Sequence, residues 1–506
     1  MSRQSKRPYK VRQACDACHG RKIRCDGCRP CINCRQSEID CTYLAVPSKT
    51  GPKGPRRARR PPQQLSSLPL LHPPLSPHQI SSRSEAKGPS PLSLDTTFKP
   101  APVITRAVID WCLDAYFKHK YPLTPILNRQ ELEKAPNSPA QYGLIVACCA
   151  VIALSPEILP PSSTQNDVRL PPADLLISET LRARQHCDLV EHPSLTHIQT
   201  SFFLYAAFFC LDKDNSAWYY LQEAMTMLHT LRLHQETTYS HVQDPMLVTY
   251  GRRMFWVLFI TERAYALQRN RPIRLKDTLK LPIIIPLSPD ADILLGFLHL
   301  ISLFRPFDSD FVDSWNSAAP STSTDPTHLP KLQTLLTYTL PNLSNYSQVQ
   351  QADLLISRQW LKLVVWKLCA STTILSTADC EDVMSLHYPA SIARNIVLVS
   401  QLVSTQAFEA NGIGILEKVF DVACSLADLL SLGSLGSQES TMQVGAIDTL
   451  MEMVRIVGTR FGGSYRHLDM LVDKANRCLC MEVDRSLPSP SEEFRGDVDE
   501  IFSPSA

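Results

Sequence analysis

From residue 103 to about 485, apolar side chains recur at intervals of three and four, the period of helices that bury one face. Between Ile104 and Lys120 the apolar positions are Val108, Ile109, Cys112, Leu113, Tyr116 and Phe117. Residues 141–154 are apolar almost throughout, too long a run for most strands and suited to a helix buried on every side. Pro193-Ser194 reads as a helix start ahead of Ile198 to Leu211, and Asn215-Ser216 opens another helix. In that helix Trp218, Leu221, Ala224, Met225, Leu228 and Leu231 share a face. Arg252 to Ala266 continues the pattern with Phe255, Trp256, Leu258, Phe259 and Tyr265, and further helices are predicted over 331–340, 350–377, 389–408, 413–432 and 441–482. Strand-like alternation is scarce. The fold class expected is mainly α, with a large all-α helical domain over 103–485.

The pattern stops at both ends. Pro61 to about Pro102 is rich in Pro and Ser, with Pro73-Pro74, Leu75-Ser76-Pro77 and Ser90-Pro91, and buries too little apolar surface to offset its chain entropy. A disordered linker over 47–102, basic at its start, is the expectation. No a/d heptad repeat occurs in 42–102, which leaves dimerisation through a coiled coil without a sequence basis. In the tail, 486–506, Glu492-Glu493-Phe494 and Asp497-Val498-Asp499-Glu500-Ile501-Phe502 interleave acids with apolar residues. That is the composition of an activation segment that folds on a transcription coactivator, the alternative being a solvated tail. No stretch reaches the roughly 18 uninterrupted apolar residues of a membrane span. The nearest, Gly143 to Leu154, stops at Ser155-Pro156, so a soluble chain with no membrane partner is expected.

Charge adds an asymmetry that the net value of +2 conceals. Residues 1–60 hold 16 Lys and Arg against four Asp and Glu, and the remainder is correspondingly acidic. A basic head on an acidic body points to a polyanion bound at one end only. Within the head, Lys6, Arg7, Lys10 and Arg12 form a basic arm available to phosphates. After the Pro- and Gly-rich stretch from Lys49 to Pro55, Arg56, Arg57, Arg59 and Arg60 read as a nuclear-import signal, as phosphate contacts, or both, with a solubilising charge run as the alternative.

The chemistry is concentrated between Cys15 and Cys41, which hold seven of the 17 cysteines. No apolar signal-peptide core follows Met1-Ser2-Arg3-Gln4-Ser5-Lys6-Arg7, which favours metal over disulfides. Two C-x2-C pairs, Cys15/Cys18 and Cys31/Cys34, are each followed after six residues by a further cysteine, Cys25 and Cys41. Three thiolates do not close a tetrahedral zinc shell, and six sulfurs fill the eight positions of two zincs only if two of them bridge. The residues therefore predict two Zn2+ in one binuclear thiolate cluster with ligands Cys15, Cys18, Cys25, Cys31, Cys34 and Cys41. Its net negative charge can be balanced by Arg21, Lys22, Arg24, Arg29 and Arg35. Cys28 stands outside the six and competes with Cys31 through the spacing Cys25-x2-Cys28. The segment His19-Gly20-Arg21-Lys22-Ile23-Arg24, pinned at both ends by ligands, can enter a major groove as a short helix.

This stretch resembles the fungal Zn2Cys6 binuclear cluster transcription factors through Ala14-Cys15-Asp16-Ala17-Cys18, Cys25-Asp26-Gly27 and Pro30-Cys31. The resemblance implies that Cys15 and Cys31 bridge the metals, that Cys31 rather than Cys28 is the ligand, and that double-stranded DNA is read at CGG-type triplets. Lys22 would contact bases, with Arg21 or Arg24 beside it. The DNA-binding set expected is thus Lys22, Arg21, Arg24, Arg12 and His19, on a head over 1–46. The body adds a second resemblance, to the fungal-specific transcription factor domain or middle homology region. It is carried by Tyr116-Phe117, Pro125-Ile126-Leu127, Trp218-x2-Leu221-x2-Ala224, Leu231-x-Leu233-His234, Arg252-Arg253-x2-Trp256, Glu262-Arg263 and Arg271-Pro272. Asn270 replaces the Gly that the family prefers before Arg-Pro, and Asn tolerates the left-handed backbone such a turn needs.

No Gly-rich phosphate loop, G-x-S-x-G elbow or H-E-x-x-H occurs, so an enzyme is not expected. Arg253 and Glu262 read as structural charges with tertiary partners, and Cys148-Cys149 and Cys478-x-Cys480 as small core residues. By resemblance the chain is a nuclear regulator of RNA polymerase II transcription, a pathway-specific activator of a metabolic or biosynthetic gene cluster whose body is regulatory, either holding the activator in check or sensing a small-molecule effector. The alternatives are a zinc-containing repressor, or a metabolite-binding or enzymatic protein whose zinc head is only a docking module.

Overall fold

The computed structural model describes residues 14–43, 98–134, 136–155, 158, 169–317, 328–338, 343–372, 385–432, 445–459 and 465–486. The basic arm with Arg12, the linker, Arg56 to Arg60 and the acidic tail lie outside these residues. The chain divides into two compact units, Met1–Leu92 and Ser93–Ala506. Regular structure among the described residues is helical, with no strand.

In the first unit, α1 (Asp16–Arg21) and α2 (Ile32–Gln36) are single turns that carry almost no apolar residue. What they enclose is sulfur: the buried cluster of this unit consists of Cys15, Cys18, Cys25, Cys31 and Cys34.

The second unit is built on two apolar cores. The first takes its side chains from α3 (Arg106–Ala115), which runs on into a π turn over Tyr116–Lys120, from α4 (Arg129–Leu132), α5 (Pro139–Ala153), α6 (Ala173–Arg184), α7 (Leu195–Cys210) and α8 (Asp214–Thr230). The starts are chemically marked: Ser138 accepts from the Gln141 amide ahead of Pro139, and Ser194 accepts from the His197 amide at the predicted start of α7. As the sequence requires, α5 is buried around its circumference, packed between α6 and α7.

A short α9 (Glu236–His241) leads to α10 (Pro245–Arg269), which is longer at both ends than the apolar pattern indicated. Asp244 caps its start by accepting from the Met246 amide, and Asn270 ends it in the left-handed conformation at φ 50°. The second core gathers α12 (Ser309–Asn316), α13 (His328–Tyr338), α14 (Gln348–Thr372), α15 (Tyr388–Leu402), α16 (Thr405–Glu409), α17 (Ile413–Ser431), α18 (Ala446–Thr459) and α19 (Leu468–Ser486), preceded by α11 (Ala291–Phe304).

Two helices belong to both cores. In α10, Phe255 and Trp256 lie in the first and Ala266 and Leu267 in the second; in α11, Phe297 and Ile301 face the first and Leu300 and Phe304 the second. Charged pairs cross the same seam. Glu417 of α17 accepts from Arg269 of α10 at 3.2 Å and from Arg466 at 2.9 Å, and those arginines also pair with Asp214 and Asp212.

Several predicted elements need correction. The helix expected over 389–408 is two helices that break at Val403-Ser404, where the Ser404 hydroxyl caps α16. The 441–482 helix is likewise α18 and α19. Cys480 is exposed, whereas Cys148, Cys149 and Cys478 are buried. Arg253 and Glu262 find tertiary partners as expected: Arg253 donates to Asp290 at 2.8 Å and Tyr121 at 2.9 Å, while Glu262 accepts from the Arg274 and Leu275 amides at 2.7 and 2.9 Å.

Candidate metal centre and nucleic-acid interface

The first unit repeats itself at an offset of 16 residues. Cys15 caps α1, its sulfur accepting from the Cys18 amide at 3.4 Å, and Cys31 caps α2, accepting from the Cys34 amide at 3.4 Å. Each turn ends on a left-handed residue, Lys22 at φ 57° and Glu38 at φ 50°. After each, an isoleucine amide, Ile23 or Ile39, reaches back to the carbonyl of Cys18 or Cys34 at 3.1 Å. The left-handed step folds the chain back over the helix end and so returns Cys25 and Cys41 to the other cysteines.

The sulfurs form two overlapping groups of four, Cys15/Cys18/Cys25/Cys31 and Cys15/Cys31/Cys34/Cys41, all within 4.8 Å in each group. Cys15 and Cys31 are common to both, at 3.7 Å; Cys15 to Cys34 is 3.5 Å and Cys18 to Cys31 3.6 Å. Zinc bonded to sulfur at about 2.3 Å in a tetrahedron requires sulfur separations of about 3.8 Å, so the donor set and its spacing fit zinc. Cys28 is exposed and belongs to neither group.

Hydrogen bonds hold this frame from outside. Asp26 accepts from the Ile32 amide at 2.9 Å and the Cys28 amide at 3.0 Å, and those amides hold its carboxyl below the usual range. Asn33 donates to the Arg24 carbonyl at 2.7 Å, and Thr42 donates to Asp16 at 2.8 Å. Tyr43 donates to the Cys28 carbonyl at 3.3 Å while the Arg29 guanidinium sits 4.5 Å over its ring. Backbone amides facing sulfur lower the thiols of Cys15, Cys25 and Cys31, whereas burial pushes Cys18 up to about 12. A bound cation favours the thiolate at every position.

Around the sulfurs, His19, Arg21, Lys22 and Arg24 are all exposed. The predicted reading helix shifts by three residues: α1 covers Asp16–Arg21, Lys22 lies just past its end, and Arg24 stands on the extended return to Cys25. The cause is the return itself, which a helix continued to Arg24 would prevent. One signal went unread in the sequence. At the 16-residue offset, Arg21, Lys22 and Arg24 correspond to Ser37, Glu38 and Asp40, so only one half of the repeat is cationic.

Residues 13–50 match the fungal Zn(2)-Cys(6) binuclear cluster domain, and residues 113–348 match the fungal specific transcription factor domain. The chain belongs to the fungal Zn2Cys6 transcription factors. Its cofactor is therefore a pair of zinc ions, its partner is DNA, and its kind is a transcription regulator rather than an enzyme. Relatives extend along nearly the whole of this Zn2Cys6 regulator. The maltose fermentation regulatory protein MAL13 of Saccharomyces cerevisiae is 24% identical over 478 residues, 92% of this chain and 93% of its own. The probable sucrose utilization protein SUC1 of Candida albicans is 25% identical over 88% of this chain and 83% of its own. The respiratory transcription factor ZNF1 of Saccharomyces cerevisiae is 23% identical over 97% and 98%.

Proposed function

We propose that this chain is a nuclear activator of RNA polymerase II transcription that reads CGG-type triplets in the major groove. Cys15, Cys18, Cys25, Cys31, Cys34 and Cys41 hold two zinc ions, with Cys15 and Cys31 shared between them. The observation that carries the reading is the exposed Lys22 on the cationic half of the repeat, over two four-sulfur groups that share an edge. Lys22 donates to the O6 and N7 acceptors of guanine, while Arg21, Arg24, His19 and Arg12 meet phosphates. The acidic half, with Glu38 and Asp40, turns away from the duplex.

Arg56, Arg57, Arg59 and Arg60 direct nuclear import, and residues 486–506 engage coactivators. The relatives named for maltose and sucrose support a gene set for metabolism, with the helical body as the regulatory part that answers to a small-molecule effector.

The test is a gel-shift titration of the full chain on a CGG site and on a scrambled site, paired with zinc analysis. Wild type favours the CGG site by at least 100-fold at fixed salt, and Lys22→Ala binds both sites equally while retaining two zincs. Retained preference in Lys22→Ala would overturn the base-reading assignment.

A further inference from the structure

A cavity of about 280 Å3 lies at the seam of the two cores, bounded by α7, α10 and α11 on one side and by the start of α17 on the other. Protein interiors rarely leave spaces much larger than a water molecule, and this volume approaches that of small-molecule pockets. Phe202, Phe203 and Phe209 of α7 and Phe297 and Phe304 of α11 line it. Tyr205 and Tyr265 extend the same wall, the Tyr205 ring lying 5.9 Å from the rings of Phe202, Phe209 and Tyr265. Walls of this kind favour a flat aromatic guest, which meets them in offset stacks or edge to face.

The polar lining divides into groups that the protein itself uses and groups that it leaves open. Tyr116 donates to the Thr124 carbonyl, Thr124 to that of Lys120 and Ser155 to that of Val151. Tyr265 donates to the Asp214 carbonyl, and Asn411 to those of Val349 and Ala407. The charged groups are engaged as well: Lys418 donates to Ser357 at 2.6 Å and Asp353 at 3.1 Å, and Lys120 donates to the Ala410 carbonyl at 2.9 Å. Different are the Tyr205 phenol, the Thr261 hydroxyl and the Gln268 carboxamide, which line the cavity and have no hydrogen-bond partner among the described residues. Thr261 and Gln268 are two turns apart on one face of α10, and the small Ala264 between them keeps the space beside them free. Polar groups at a cavity wall call for a partner, and these three are uncharged, the carboxamide presenting a donor and an acceptor side by side.

We propose that the seam cavity binds a neutral aromatic molecule bearing an amide or similar donor–acceptor group, its ring against the phenylalanines of α7 and α11 and its polar group at Gln268, Thr261 and Tyr205. This gives a chemical class to the effector and so rests on the body being regulatory.

Isothermal titration calorimetry on the zinc-loaded full chain tests this with 2-naphthamide, its charged counterpart 2-naphthoate, and maltose. 2-Naphthamide binds with one-to-one stoichiometry, at least tenfold tighter than 2-naphthoate, and maltose gives no saturable heat. The double variant Tyr205→Phe, Thr261→Val removes two hydroxyls at nearly constant shape, and Gln268→Met removes the carboxamide; each weakens 2-naphthamide at least fivefold while Tm stays near that of wild type. Ala264→Leu fills the space between Thr261 and Gln268 and abolishes binding, and if it does not fold the other two variants decide. Absence of 2-naphthamide binding, equal or tighter binding of 2-naphthoate, saturable maltose binding, or undiminished affinity in the folded variants each overturns the proposal. A CGG-site reporter driven by wild type and by Ala264→Leu reads regulation separately. Output that changes although 2-naphthamide does not bind overturns the ligand class and leaves the body regulatory, whereas binding with unchanged output supports the site and removes only the regulatory reading.

Discussion

At the scale of single residues, the two sulfurs common to both groups have a different standing from the other four. Cys15→Ser or Cys31→Ser removes a ligand from both metal positions at once, so zinc bound per chain falls from two to below one. Cys18→Ser or Cys41→Ser touches one position and leaves about one zinc, and Cys28→Ser leaves two. Inductively coupled plasma mass spectrometry on dialysed protein measures all five. The repeated C-x2-C-x6-C spacing and tetrahedral coordination pointed to six sulfurs, but the choice of Cys31 over Cys28 came from the resemblance, because Cys25-x2-Cys28 is an equally chelating spacing. The place of Lys22 was not legible, because the left-handed turn that ends α1 follows from bringing Cys25 back to Cys15, a closure that no local propensity encodes.

Many elements were legible where apolar residues recur over several turns, as in α3, α5, α7, α8 and α17. The longer helices not anticipated are the apolar α11 and, of mixed polarity, α6 and α12. α6 and α12 owe their helicity to neighbours: Arg184 of α6 pairs with Glu223 of α8 at 2.6 Å, and Trp315 of α12 donates to the Leu267 carbonyl at 3.0 Å. Within α14 one feature works against stability. Arg358 and Lys362 are four residues apart, and burial, with Arg358 adding to it, lowers Lys362 to about 8. A lysine whose folded value lies below its unfolded one destabilises fully below pH 8 and is relieved as pH rises towards 10.5. Lys362→Met therefore raises Tm at pH 7, and its advantage over wild type disappears by about pH 10.5. Thermal melts monitored by circular dichroism across that range decide it.

For the molecule as a whole, α10 and α11 make the two cores of the body dependent on each other. Calorimetry of the body should show one endotherm, not two, since neither core is complete without those helices. Glu417 is buried and accepts from both Arg269 and Arg466, so Glu417→Gln leaves Arg269 with Asp214 and Arg466 with Asp212 and costs about 2 kcal/mol by urea denaturation. The head behaves in another way. Chelation removes specific DNA binding while the far-UV signal hardly changes, because α1 and α2 are single turns beside the long helices of the body.

The same contrast reaches outside the protein. A body whose interior is hydrocarbon keeps its shape in any aqueous medium, but a head whose interior is sulfur has shape only while the cell can spare metal for it. Promoter occupancy by this regulator then falls when the cell is starved of zinc, even at constant protein level. Its target genes become responsive to mineral nutrition.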